Sequence, residues 1–116
     1  MEGFKQGQLL RVFVDERDLH GMQPMYTAIV ELLRKKHIAG ATVFRGIEGY
    51  GQHDQIHVGK IFSWAPNLPI LIEVVEDKEK IDSVLPDIEK MVTEGFVTIE
   101  AAEYFRISKS KLQPHA

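Results

Sequence analysis

A chain of 116 residues that is 44% hydrophobic and 27% charged has room for one domain around one core. Its net charge of −3 speaks against an electrostatic grip on nucleic acid or an anionic membrane, and the lack of cysteine excludes disulfides and thiolate chemistry. The opening MEGFKQGQ has no apolar core of signal-peptide length, and no run approaches the ~18 apolar residues of a membrane span, so a cytoplasmic protein without membrane insertion is expected.

Residues 1–7 read as a flexible N-terminus. Gln8 to Glu16 (QLLRVFVDE) is the first strand, with Leu10, Val12 and Val14 on one face and Leu9, Arg11 and Phe13 on the other. Asp15 to Gln23, with Gly21, is a polar connection. Pro24 suits the first turn of a helix, where its missing N–H is not needed. From Met25 onward, Ala28, Ile29, Leu32 and Leu33 recur at helical spacing. Arg34, Lys35 and Lys36 favour the negative end of that helix, and Gly40 is expected to close it with a left-handed cap.

Ile38 to Gln52 (IAGATVFRGIEGYGQ) starts as the second strand and leaves through Gly46, Gly49 and Gly51. Glycines this close together serve positive φ angles, a bulge or a close backbone approach, since they add nothing to strand propensity. Ile47 to Ala65 is a long polar segment, with 48–65 read as a mobile loop; such length in a compact domain is usually functional. Pro66 to Glu76 is the third strand, turning Ile70, Ile72 and Val74 inward. Lys78 to Thr93 is a second helix carrying Ile81, Val84, Leu85, Ile88 and Val92, and Pro86 is expected to kink it or split off its first turn. Gly95 ends it, Val97 to Arg106 is the fourth strand, and 108–116 is a frayed tail.

This β-α-β-β-α-β order predicts an α+β ferredoxin-like domain over residues 8–107, with a four-stranded antiparallel sheet and both helices on one face. The other face would carry Leu9, Phe13, Phe44, Leu71 and Val75 beside Arg11 and Glu73. That is too apolar for a solvent face, so oligomerisation is expected to cover it.

The runs LLRVFVDE, PMYTAIVELLRKKHIAGATVFRGIEGYG, NLPILIEVVE and EGFVTIEAAEY resemble the small PII-like proteins of domain-of-unknown-function family one-ninety, from Leu9 to Arg106. More distantly, IAGATV followed by GYG is similar to the ITGLTV and GFG of PII signal-transduction proteins. Those are trimers that bind adenine nucleotides between subunits and meet partners through the loop after the second strand. The resemblance implies a homotrimeric regulatory protein, not an enzyme, with a small ligand such as an adenine nucleotide held by Gly40, Thr42, Gly49, Tyr50 and Gly51. It also implies a regulated partner, a membrane transport protein being one candidate. From the residues themselves, Gly46, Gly49 and Gly51 read as a backbone nest for an anion with Arg45 as its charge partner, or as a strand that bends into a hairpin arm. The chain departs from PII at Gln52, which stands where PII has a phosphate-contacting arginine, and at Thr93-Glu94-Gly95, where PII has a glycine-rich loop with lysine. A sensor or adaptor is therefore implied more firmly than ATP itself.

Other constellations compete. His53, Asp54 and His57 could share a metal if their segment were helical, giving the alternative of a trimer resembling the divalent-cation tolerance proteins. Asp15, Glu16, Asp18 and His20 form an oxygen-rich cluster that reads as a cation site or as helix caps. His37 suits a helix C-terminus. Phe62 and Trp64 read as a plug under the loop or as part of a cleft. The third strand lacks the aromatics of an RNA-recognition module, and no nucleophile sits beside a base, so neither RNA binding nor catalysis is expected.

Overall fold

The computed structural model describes residues 3–50 and 68–109. The main elements are β1 (Lys5–Asp15), α1 (Met25–Lys35), β4 (Thr42–Arg45), β5 (Pro69–Glu76), α2 (Lys78–Met91) and β6 (Phe96–Tyr104), with β2 (Leu19–His20) and β3 (Gln23–Pro24) forming a small hairpin before α1. The four-stranded sheet runs β4-β5-β1-β6, with every neighbouring pair antiparallel. This is the ferredoxin-like arrangement that the order of elements predicts.

Period-two alternation settles which side chains go inward. Leu10, Val12 and Val14 of β1 and Ile70, Ile72 and Val74 of β5 meet Met25, Ile29 and Leu33 of α1 and Ile81, Val84 and Ile88 of α2 in one cluster. Burying each such side chain contributes about 1.5–3 kcal/mol, so these two central strands and two helices hold the fold.

Several boundaries differ from the expectation. β1 starts at Lys5, not Gln8, because Lys5, Gln6 and Gly7 pair with Tyr104, Glu103 and Ala102 of β6. Residues 5–7 are thus strand and not a flexible lead-in. Pro24 is the N-cap and closes the small hairpin rather than occupying the first helical turn. α2 continues as one helix through Pro86, with no separate first turn.

The cap of α1 is also not where glycine suggested it. His37 takes the left-handed conformation at φ 64°, while Gly40 does not. The Ile38 N–H donates to the Leu33 carbonyl at 3.0 Å and the His37 N–H to the Arg34 carbonyl at 3.1 Å. This is a Schellman motif, and its apolar clasp is Ile38 against Leu33, both buried. Burying Ile38 outweighs the strain that a non-glycine residue carries at that angle. Gly95, by contrast, is a glycine of necessity: its φ is +151°, and a Cβ there would lie 2.3 Å from the Phe13 carbonyl oxygen.

Candidate functional site

The expected ligand residues among those described, Gly40, Thr42, Arg45, Gly49 and Tyr50, lie along or next to one edge of the sheet. β4 is an outer strand paired with β5, and all four of its residues are exposed. Thr42 and Phe44 sit opposite Glu73 and Leu71 on the face away from the helices, while Val43 and Arg45 sit opposite Ile72 and Ile70 on the helix side. Gly40 precedes the strand in open space, with nothing within 4 Å of where a Cβ would stand.

The other end of β4 is shaped by close packing. The Gly46 N–H donates to the Pro69 carbonyl at 2.8 Å. A Cβ on Gly46 would come within 2.7 Å of Pro69 Cγ, and one on Gly49 within 3.0 Å. Neither glycine has a positive φ. Of the uses that glycine spacing allows, close approach is the one realised: the backbone folds over the Pro69 ring. Ile47 and Tyr50 then project into solvent, 95% and 85% exposed.

Arg45, expected to face an anion, pairs with Glu16. The Glu16 side chain is 19% exposed and that of Arg45 61%. The Glu16 N–H also donates to the Leu68 carbonyl at 3.0 Å. One residue beyond β1 therefore touches both stretches that flank residues 51–67. Arg45, Gly46 and Gly49 gather at this end of β4, whereas Thr42 lies about 10 Å along the strand. Gly51, the histidine pair His53 and His57, Phe62, Trp64 and most of the long loop fall outside the described residues.

The remaining carboxylates of the acidic cluster build a turn. The Asp18 carboxylate accepts the Asp15 N–H at 3.0 Å, and the Asp15 carboxylate accepts the Arg17 N–H at 2.9 Å. Burial pushes the Asp18 carboxyl up; the Asp15 N–H pulls it back, and the charges of Asp15 and Glu94 add to the rise. Among the described residues no three His, Asp or Glu side chains are grouped to hold a metal.

Sequence reasoning missed Glu76, which is 2% exposed at the end of β5. Its carboxylate accepts the N–H groups of Ala39 and Asp77, each at 3.0 Å. Arg106 stands 3.5 Å away and Lys80 3.8 Å. Burial alone would raise its pKa, but the Ala39 and Asp77 N–H groups together with Lys80 and Arg106 outweigh it and hold the carboxyl below its usual value. Next to it, Tyr104 donates to Asp77 and lowers that carboxyl too. The Tyr104 ring lies where a side chain on Gly7 would be. Glu76 thus ties the lead-in to β4 to the end of β6. The signal was available: Glu76 shares parity with Ile70, Ile72 and Val74, a charge on a core-facing position.

On the face away from the helices, Phe13 and Phe96 stack with centroids 4.4 Å apart. Arg11 bridges Glu73 and Glu100 at 3.0 Å each, joining β5, β1 and β6. Phe96 is 60% exposed and Phe44 46%. No helix among the described residues is long and apolar enough to cross a membrane.

This sheet, with its exposed outer strand and uncovered aromatic face, is a PII-like fold. CPII from Thiomonas intermedia K12, a nitrogen regulatory PII-like protein solved with ADP, AMP and bicarbonate, matches with a TM-score of 0.62 at 13% identity, covering 87% of this chain and 97% of that one. A putative PII-like signaling protein from Thermus thermophilus matches with a TM-score of 0.55, also at 13% identity, covering 93% and 96%. In sequence, the DUF190 family, described as "Uncharacterized ACR, COG1993", matches residues 7–104. A UPF0166 protein of Aquifex aeolicus is 35% identical over 96 residues, 83% of this chain and 90% of that protein. A UPF0166 protein of Methanocaldococcus jannaschii is 31% identical over 102 residues, 87% and 94% respectively. The chain belongs to the DUF190 family.

Proposed function

We propose that this chain is a PII-like regulatory protein, not an enzyme, that works as a homotrimer. Its subunits meet through the apolar sheet face, and a small anionic ligand, with an adenine nucleotide as first candidate, sits between them along β4, from Gly40 and Thr42 to Arg45, Gly49, Tyr50 and Gly51. Ligand binding changes how the loop after β4 meets a regulated partner.

The observation that carries this reading is the uncovered aromatic and aliphatic face beside an exposed outer strand. Phe44, Phe96 and Val75 are left in water by a single chain, and burial between copies removes that cost. The ligand class is supported by fold likeness to CPII, which was solved with ADP, AMP and bicarbonate.

Calorimetric titration of the purified protein with ADP, AMP and bicarbonate tests it. The reading expects saturable heat with at least one nucleotide, weakened by Arg45→Gln and Thr42→Val. Absence of heat for all three ligands overturns the nucleotide assignment.

A further inference from the structure

Arg45 is the cation that the described part of β4 offers to an anion, and it is already engaged by Glu16. Glu16 is anchored at its backbone, where its N–H donates to the Leu68 carbonyl at 3.0 Å. Its side chain is also mostly buried, at 19% exposure. On the ligand side, the guanidinium is open: Arg45 is 61% exposed and has five N–H donors, of which the contact with Glu16 uses few. An arriving phosphate therefore meets a guanidinium whose charge is partly neutralised and a carboxylate that stays beside it.

Resting on the proposed anion site, we infer that Glu16 sets the charge specificity of this site by opposing each further negative charge brought to Arg45. A phosphate bound to the open side of the guanidinium lies beside Glu16, which places two anions within a few ångströms of each other. The opposition grows with the charge of the ligand and vanishes for an uncharged one. Glu16 is thus a specificity-determining residue that acts through charge, favouring weakly charged phosphate ligands over highly charged ones.

The test is calorimetric titration of the intact protein and of E16Q with adenosine, AMP and ADP at low ionic strength. Glu16→Gln keeps the size of the side chain and one acceptor oxygen and removes its charge. The expected result is no change for adenosine, a gain of about twofold for AMP and about fivefold for ADP, in the range of exposed ion pairs. Added salt should shrink the gains. In the R45Q background the E16Q gain should fall, which a double-mutant cycle reads as coupling. An equal change for all three ligands would assign Glu16 a merely structural role and overturn the inference. So would unchanged ADP affinity in E16Q with weakened binding in R45Q, and in that case the anion site itself would stand. Absence of binding to either protein would overturn the anion site and this inference together.

Discussion

The two faces of the sheet come from the same strands and have opposite fates. Toward the helices, Leu10, Val12, Ile70 and Ile72 are at most 2% exposed, and Glu76, the buried charge there, has its partners at hand. Away from the helices, alternate residues of the same strands present Phe13, Leu71, Val75 and Phe96 around an Arg11–Glu73–Glu100 bridge. The helix side is completed within one chain. The other side is apolar and left open by a single chain, with the ion triad running across β5, β1 and β6. Alternation fixes which residues face inward on the helix side, and on the other side the same alternation leaves Phe44, Val75 and Phe96 exposed in a single chain.

Neighbouring residues on β5 sharpen the contrast most. Ile72→Ala should destabilise the fold by about 2–5 kcal/mol, since Ile72 is wholly buried and its neighbours can collapse little. Leu71→Ala, one residue away on the other face, should change the unfolding of a dissociated chain by about 1 kcal/mol or less and yet weaken association. Chemical denaturation at several protein concentrations separates the two effects. Comparable losses for both substitutions, independent of concentration, would erase the distinction between the faces.

Glu76 is the exception on the buried side and gives the next largest effect. Glu76→Gln should cost about 2 kcal/mol near neutral pH, because the carboxamide has one oxygen for the two N–H groups that the carboxylate accepts, and the half-exposed Lys80 and Arg106 lose a partner as well. Its folded pKa is depressed below its ordinary 4.5, so its stabilisation is present above that value and is lost as pH falls through the folded one. Asp77, likewise held low by Tyr104, acts with the same sign from its ordinary 3.8. The wild-type protein should therefore lose stability below about pH 4.5 more steeply than E76Q, as read by denaturation midpoints from pH 7 to 3. Parallel acid limbs would mean that Glu76 is not the anchor described.

The smallest effect concerns the cap. His37→Gly should stabilise the chain by about 1 kcal/mol, since glycine takes φ 64° without the crowding that histidine meets there. The same substitution strategy has no target at Gly40, which has no left-handed angle to relieve.

What the sequence made legible follows this division. The strands, both helices and the core positions could be read because burial imposes a period on many residues at once, and no single misreading moves it. The uncovered face was legible for the same reason, as the odd residues of β1 and β5. The α1 cap was not, since it depends on one residue's φ, and burial of Ile38 placed it three residues before the glycine that local preference favoured. Gly46 and Gly49 were recognised as constrained, but their constraint is the Pro69 ring across the strand pair, a contact that chain spacing does not reveal. The pairing of Arg45 with Glu16 joins residues 29 apart and likewise needed the fold. Glu76 is legible by parity, since it shares the inward-facing positions of Ile70, Ile72 and Val74 while Glu73 takes the outward parity.

The claim on which the rest depends is that copies of this chain cover one another's open sheet face. Light scattering on the purified protein at micromolar concentration tests it most directly, with Phe96→Ser alongside. The account predicts a particle of three 13.2 kDa chains, about 40 kDa, falling toward a single chain in F96S. A wild-type particle of 13.2 kDa across the accessible concentration range would contradict it.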